Sequence, residues 1–481
     1  MEKKPNILFA IADDASHFGA YGHGFVDTPN IDGIAGEGVL FENAFTANPK
    51  CAPSRACILT GRYPWQNEEA CNHFCYFPNK FALLPDLLEE AGYFAGFTGK
   101  GWAPGDYTSS GLKRNPAGDE YNKCRLQPPE GTCISAIDYA ANFEDFVSKR
   151  PEGKPFYFWY GAYEPHRPYR PGEGARAGKT AGDIDAVPSY WPDCDEVRQD
   201  MLDYASEIEW FDLQLGRILR KIEEMGELDD TLVVVTSDNG CPFPRVKGQM
   251  YEQDFHLPMV GMWKSQNKKR SRKIRDIINF ADIAPTFLEA AGLPKHPQMS
   301  GNSFLDVFFA DTGGQIAPAR NVTYFGREKQ DLGSEGDLGY PVRCMRDARY
   351  LYIHNIAPDR WPAGNPETGF TNCDSSPTKQ KILDLNELGE TRYYELAFGK
   401  RPGEELYDIT GDPECINNLA GTHADVLKSM RERLHAFLLE TEDPAILVSP
   451  DYFDKMRLKS EDDAPYSWKS YMAGTWEKQT F

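Results

Sequence analysis

NILFAIADD, residues 6–14, is an apolar run of strand length that ends abruptly in two aspartates. A strand with one wet face alternates apolar and polar residues. A run that is apolar at nearly every position is buried on both faces, as in a parallel sheet covered by helices. Three further stretches repeat the pattern and stop at small or polar residues: YFAGFTG (93–99), FYFWYGAY (156–163) and TLVVVTSDNG (231–240). Between them lie helical patterns, LLPDLLEEAG (83–92), SAIDYAANFEDFVSKR (135–150), DYASEIEWFDLQLGRILRKIEEMG (203–226) and FADIAPTFLEAAG (280–292), several closing at a glycine. The alternation predicts an α/β sandwich with a large, mostly parallel sheet flanked by helices.

After about residue 340 the texture changes. YPVRCMRDARYLYIHNI reads as a hairpin, EELYDITGDPECINNLA as strand and turn, and ADVLKSMRERLHAFLLE as an amphipathic helix. A chain of 481 residues exceeds one ordinary domain. The expectation is a catalytic α/β domain over 1–340 and a smaller α+β domain with a short antiparallel sheet over 341–481. The Pro/Gly-rich stretch RPYRPGEGARAGKTAG (167–182) predicts a long surface loop of the kind that frames sites.

The formal charge of −21 sets the long-range field against nucleic acid and anionic membrane surfaces, so neither is expected as a partner, and an anionic substrate needs a local basic pocket. No apolar run approaches the ~20 residues that span a bilayer. The opening MEKKPNILFAIADD carries no small-residue cleavage site, which reads as cytoplasmic as written, or periplasmic or secreted if a leader was removed. Eleven cysteines without dense even spacing read as mostly free thiols in a reducing compartment. Cys71 and Cys75 lack a second pair at zinc-ligand spacing, so zinc is not expected there.

In open α/β sheets ligands sit beyond the carboxyl ends of the strands. Asp13 and Asp14 end one strand, and Asp238 and Asn239 end another. Either pair alone reads as a turn cap. Together they offer four oxygen-bearing side chains to one hard cation, Ca²⁺ or Mg²⁺.

The stretch CAPSRACILTGR (51–62) resembles the signature of the type I sulfatases, in which the first cysteine is oxidised to formylglycine by a separate maturation enzyme that reads the Pro and Arg of the signature. DTPNIDGIAGEGVLFENAFT and LPDLLEEAGYFAGFTGKG resemble the same family, and the likeness runs along essentially the whole chain. It implies the alkaline-phosphatase-like sulfatase fold and a sulfated saccharide substrate. It also implies a nucleophile made from Cys51, whose hydrated aldehyde has one hydroxyl to attack sulfur and a second to expel sulfate; a serine lacks that second hydroxyl. By the same resemblance Cys51 joins Asp13, Asp14, Asp238 and Asn239 around the cation. Arg55 holds the diol, Lys100 and Lys247 bind sulfate, and His166 is the leaving-group acid. The family's histidine two residues after the lysine is replaced here by Trp102, so His17 and His73 become candidate substitutes, and His17, His73, Trp102 and Arg167 candidate substrate contacts.

SDNGCPFP, EPHRP, YPVR and IHNI, with RYYELAFGKRPGEELYD and ETEDPAILVSP, are most similar to the heparan N-sulfatase branch, which cleaves N-linked sulfate from a terminal glucosamine. An O-sulfatase on a related, carboxylated saccharide, a phosphatase or phosphonate hydrolase on the same fold, and a binding protein without turnover remain alternatives. The long loop and second domain are expected to leave room for one terminal sugar. Oligomeric state is left open, with a homodimer as one expectation.

Overall fold

Residues 4–456, 458–459 and 467–476 are described by the structure, a computed structural model. Its centre is an eight-stranded mixed sheet. In chain order the strands are β1 (Asn6–Ala12), β2 (Val39–Phe45), the short β3 (Cys75–Tyr76), β4 (Phe94–Gly99), the short β5 (Gly105–Asp106), β6 (Phe156–Gly161), β7 (Thr231–Ser237), β8 (His256–Met262), β9 (Arg272–Ile274) and β10 (Ile278–Asn279). The sheet order is β10-β2-β8-β7-β1-β6-β4, with β9 on β2, while β3 and β5 pair apart from it. The four runs expected from the sequence, β7, β1, β6 and β4, are adjacent and mutually parallel.

Helices α1 (Pro29–Glu37), α2 (Cys51–Thr60), α3 (Leu84–Glu90), α4 (Tyr139–Lys149), the one-turn α5 (Glu173–Arg176), α6 (Asp195–Glu224), the one-turn α7 (Glu252–Phe255), α8 (Ile283–Ala290) and α9 (Leu305–Phe309) accompany it. Strand β1 shows why the run had to be apolar throughout. Leu8, Ala10 and Ala12 enter one core with Phe143 and Phe146 of α4 and Phe211 and Leu215 of α6. Ile7, Phe9 and Ile11 enter the opposite core with Ala52 and Ala56 of α2 and Phe287 of α8. Each leucine, isoleucine or phenylalanine among them contributes about 1.5–3 kcal/mol by leaving water.

A second sheet, antiparallel and four-stranded, has the order β11 (Val322–Arg327), β12 (Val342–Asp347), β13 (Tyr350–Asn355), β14 (Glu404–Asp408). The expected hairpin is β12–β13, and the expected helix is α12 (Ala424–Glu440), reached after α10 (Pro377–Glu387) and α11 (Arg392–Phe398). The second sheet does not respect a division at residue 341, because β11 precedes it. Nor do α10 and α11 stay with that sheet: Ile382, Ala397 and Phe398 are buried in the core that α6 shares with the large sheet.

Buried ion pairs fasten the smaller sheet. Arg343 of β12, 1% exposed, donates from Nε to Asp443 at 2.6 Å and from Nη2 to the same carboxylate at 3.0 Å, and also meets Glu328. Removing one partner leaves a buried charge unmatched, so Asp443→Ala is expected to lower unfolding stability by about 3 kcal/mol or more. Denaturant titration checks this, and a loss below about 1 kcal/mol would show the pair to be dispensable.

Candidate active site

Because β8 runs antiparallel to both β7 and β2, strand β2 runs in the same direction as β7, β1, β6 and β4. Five carboxyl ends therefore open on one edge of the sheet, where ligands of such folds bind. Strand β1 delivers Asp13 and Asp14, β7 delivers Asp238 and Asn239, and β4 delivers Lys100. Beyond β6 come Glu164 and His166, and beyond β2 comes Cys51 at the start of α2. Ligand atoms of Asp13, Asp14 and Asp238 lie within 4.8 Å of one another, as do those of Asp13, Cys51 and His166.

The local backbone is shaped to this end. Asp14 has φ 74°, a left-handed conformation unusual for a residue with a side chain, and its N–H donates to Asp238 Oδ1 at 3.1 Å. Such a conformation costs about 1–3 kcal/mol and persists where the surroundings enforce it. At the ends of β4 and β6, Gly99 and Gly161 pass so closely that a Cβ on Gly99 would lie 1.9 Å from Gly161 O, and one on Gly161 would lie 2.0 Å from Lys100 O. The absent side chains let the Lys100 turn and the His166 loop share one edge.

Cys51 is the first residue of α2 and Lys50 is its N-cap, so the positive end of the helix dipole lies at the site. All ten residues of α2 are buried, and Gly61 at φ 63° ends it, which accounts for the small residues and the Thr-Gly-Arg turn of the segment. The Cys51 thiol donates to Asp13 Oδ1 at 3.4 Å.

Three basic side chains pair with the acids. Lys100 Nζ is 2.5 Å from Asp13 Oδ2, Lys247 Nζ is 2.7 Å from Asp14 Oδ2, and Arg55 Nε is 2.7 Å from Asp238 Oδ2. Arg55 Nη1 also donates to the carbonyls of Lys100 and Gly101 at 2.6 and 3.0 Å, whereas its Nη2 is buried without a hydrogen-bond partner among the described residues. His166 stands at the rim. Its Nδ1 is 2.6 Å from Arg167 O, which can only accept, so Nδ1 carries the hydrogen and Nε2, 3.9 Å from Asp14 Oδ2, is the nitrogen free to exchange a proton.

The carboxyls divide by environment. Burial would raise Asp13, but Lys100, His166, Arg55 and Lys247 hold it well below the usual carboxylate range. Burial pushes Asp238 up to about 7, with Arg55 only partly offsetting it and Asp13 adding to the rise. Burial, reinforced by Asp13, pushes the Cys51 thiol well up. Lys247 is held above its ordinary value by Asp14 and Asp374 against the opposing effect of burial.

The remaining expected residues lie apart from this cluster or at its margin. Trp102 is 1% exposed, packs edge-on against Phe77 and donates from its indole to Ala52 O at 3.0 Å, so it is a core residue and not a pocket wall. His17 packs edge-on against His23 and Phe25 with Nδ1 3.2 Å from Tyr204 OH. His73 is closer: Nδ1 is 2.6 Å from Asp331, whose other oxygen is 2.8 Å from Lys50, and its Nε2 is buried without a hydrogen-bond partner among the described residues. Burial lowers His73 to about 4, with Asp331 opposing and Lys50 and Lys100 assisting. Arg167 is held bidentate by Asp200 at 2.7 and 2.8 Å.

Sequence reasoning named His73 but missed Asp374, whose carboxylate lies 2.8 Å from Lys247, and missed Lys50 and Asp331, which pair with each other as Asp331 pairs with His73. Nothing local marks them, since each pairs with a residue more than a hundred positions away. All eleven cysteines are free, and the candidate metal groups among the described residues do not include Cys71 or Cys75. No helix of the described residues is long and apolar enough to cross a membrane.

The donor set suits a hard divalent cation. Three carboxylates converge, and Asn239 Oδ1 is buried with no hydrogen-bond partner among the described residues while its Nδ2 donates to Asp14 Oδ1 at 2.7 Å. A buried amide oxygen left unmatched is costly unless it meets a cation or donor.

Comparison with known proteins agrees with this geometry. The sulfatase family model matches residues 5–293, and a model described as N-sulphoglucosamine sulphohydrolase, C-terminal, matches 246–354. An ulvan-active sulfatase of Formosa agariphila is 26% identical across 95% of this chain and 78% of its own length. The human N-sulphoglucosamine sulphohydrolase is 28% identical across 93% of this chain and 92% of its own. A solved structure of a protein in complex with its substrate D-glucosamine-2-N,6-O-disulfate superposes with TM-score 0.66 at 20% identity, covering 94% of this chain and 100% of that one. The shared architecture is the alkaline-phosphatase-like α/β sandwich.

Proposed function

This chain belongs to the sulfatase family and hydrolyses sulfate esters or sulfamates, and from that premise we propose that it removes sulfate from the terminal sugar of a sulfated glycan, with N-sulfoglucosamine as the preferred unit. The observation that carries the reading is the convergence at five strand ends, where an acidic triad, Cys51 and three basic side chains meet. The match of residues 246–354 to the model described as N-sulphoglucosamine sulphohydrolase, C-terminal, and the human relative support the N-linked choice. The ulvan-active relative supports a second reading, an O-sulfatase on another saccharide.

Asp13, Asp14, Asp238 and Asn239, with Cys51 beside them, would hold one Ca²⁺ or Mg²⁺, which when bound would polarise the attacking oxygen and offset charge on the sulfate. Matured to formylglycine by an enzyme that reads Pro53 and Arg55, and hydrated, Cys51 would supply one hydroxyl to attack sulfur and another to release sulfate. The chain's other side chains have roles set by charge. Sulfate transfer spreads negative charge over its oxygens, and Lys100 and Lys247, fixed by Asp13 and Asp14, meet that charge without reorganising. Arg55 presents Nη2, which has no hydrogen-bond partner among the described residues, toward Asp13 at 3.9 Å. His166 donates from Nε2 to the leaving nitrogen or oxygen as the bond to sulfur breaks, its Nδ1 locked on Arg167 O.

His166→Ala should therefore lower kcat by about 10²–10⁴-fold on sugar substrates with little change in cation affinity. An activated aryl sulfate, whose leaving group needs no proton, should lose far less; equal losses on both would remove His166 from the acid role. The function itself is tested with cation-loaded, matured protein on defined sulfated monosaccharides by measuring released sulfate. N-sulfoglucosamine is expected to turn over fastest, and release from no sulfated sugar alongside turnover of a phosphonate ester would overturn the reading.

A further inference from the structure

Residues 264–275, KSQNKKRSRKIR, hold seven basic side chains and no acidic one, in a chain whose net charge is −21. They lead from the end of β8 through β9, beside β2 in the large sheet. Strand β9 pairs in parallel with the start of β2, Arg272 opposite Val39, so the segment lies at the amino ends of the parallel strands. The candidate active site opens at their carboxyl ends. The length of β2 separates the two, seven residues at about 3.3 Å each.

The segment is anchored from within while most of its cations stay outside. Trp263 N donates to Asn267 Oδ1 at 2.6 Å and Asn267 N to Trp263 O at 2.8 Å, which closes the first turn. Ser271 is left-handed at φ 51° and turns the chain into β9. Arg272 is buried, and it donates from Nη2 to Phe308 O at 2.7 Å, from Nη1 to Ala310 O and from Nε to Lys269 O at 3.2 Å. Asp276, the next acid in the chain, is buried and accepts from the N–H groups of Ile316 and Ala317 at 2.7 and 2.6 Å, so it does not screen the surface. Lys268, Lys269, Arg270, Lys273 and Arg275 are exposed. Arg270 meets Glu37 at 2.9 Å and Arg275 meets Glu42 at 3.1 Å, surface pairs that hold weakly and exchange readily. Lys268, Lys269 and Lys273 have no ion pair among the described residues.

Cations crowded together repel one another until an anion joins them. The shape of the patch calls for a thin one. It is one loop and one short strand wide, and Glu37, Glu42, Asp229 and Asp311 stand around it. A membrane surface or a duplex laid across it would press against those acids and against the negative field of the whole chain. A single polysaccharide strand with sulfates at intervals can follow the strip alone.

We propose that residues 264–275 are a docking strip, separate from the active site, for the sulfated polysaccharide whose terminal sugar is the substrate. The proposal rests on the sulfatase reading above and adds a second contact with the polymer. The strip reads charge and not sugar type, so it serves the N-linked and the O-linked reading alike. A polymer held there keeps its ends near the enzyme, which raises their effective concentration without altering the chemical step.

The test uses the cation-loaded full chain and a heparin oligosaccharide whose terminal sugar bears no sulfate, so that the active site is not what holds it. Calorimetry is expected to show binding that weakens steeply as salt is raised. Lys268→Gln, Lys269→Gln and Lys273→Gln combined should weaken it at least about tenfold, and arginine at the same three positions should preserve it. Should the triple variant fail to fold, Lys268→Gln with Lys269→Gln serves the same purpose. On sulfated polymer the glutamine variant should raise KM several-fold at unchanged kcat, and on a sulfated monosaccharide it should change neither. Oligosaccharide binding unchanged in the folded variant, or single-stranded DNA or phosphatidylserine vesicles bound by the parent as tightly as the oligosaccharide, would overturn the proposal. The oligosaccharide is bound and not cleaved, so the outcome is decided separately from which sugar loses its sulfate.

Discussion

Cys51→Ser protein is expected to fold and bind a divalent cation like the parent yet to turn substrate over at least about 10³-fold more slowly, a loss of about 4 kcal/mol in transition-state stabilisation. The fold should tolerate the change because Cys51 is 1% exposed in a site whose only demand on its side chain is a small donor: the thiol reaches Asp13 Oδ1 at 3.4 Å, and a hydroxyl can do the same. Turnover should fail because one hydroxyl can accept sulfate but leaves no second hydroxyl on the same carbon to expel it. The variant should therefore retain one sulfate per chain, visible in the intact mass. Protein carrying unmodified Cys51 should be equally slow, since burial and Asp13 keep its thiol protonated. Sustained multiple turnover by protein shown by peptide mass spectrometry to hold only Cys51 thiol would overturn the mechanism.

The second large effect is expected from the cation site. Asp238→Asn should abolish measurable Ca²⁺ or Mg²⁺ binding and reduce kcat/KM by about 10³-fold or more, because the charge on the reacting oxygens is then met by Lys100, Lys247 and Arg55 alone. Asparagine is preferable to alanine, since it keeps an oxygen for Arg55, which otherwise loses its 2.7 Å partner in a buried place. Chelation of the parent protein should lower its unfolding temperature, with recovery on adding back the cation, whereas the variant should show neither response. Calorimetric binding in the variant that matches the parent would remove Asp238 from the ligand set.

Much of this was legible because the central strands leave no choice of face. Residues 7–12 and 232–235 are apolar throughout, the two strands pair in parallel, and the acids that follow them therefore share an edge. Strand β2 was harder to see, for Glu42 and Asn43 interrupt it at the irregularity between Phe41 and Ala44. Helix α6 starts at Asp195, eight residues ahead of the expected start, because its first turns, DEVRQD, are mostly charged and show little apolar period. The acids that pair with the site's lysines from afar, Asp331 and Asp374, gave no signal, since each acquires meaning only from residues that folding brings beside it. The replacement of histidine by Trp102 was visible, but only packing against Phe77 and Ala52 shows that the tryptophan turned into the core.

The late arrival of Asp374 and Asp331 at a site begun by Asp13 has a consequence in time. A ribosome must make more than three quarters of the chain before the wall over Lys247 and Lys50 is complete, and Cys51 is expected to stay reachable during that interval. Once α2 is enclosed, with all ten of its residues buried, a second enzyme has no path to the thiol. On the proposed mechanism, modification and closure are then competitors in a race that each molecule runs once. The active fraction of a preparation should follow the relative speeds of the two processes, so slowing closure, for example by cooling during synthesis, should raise the share of chains that work.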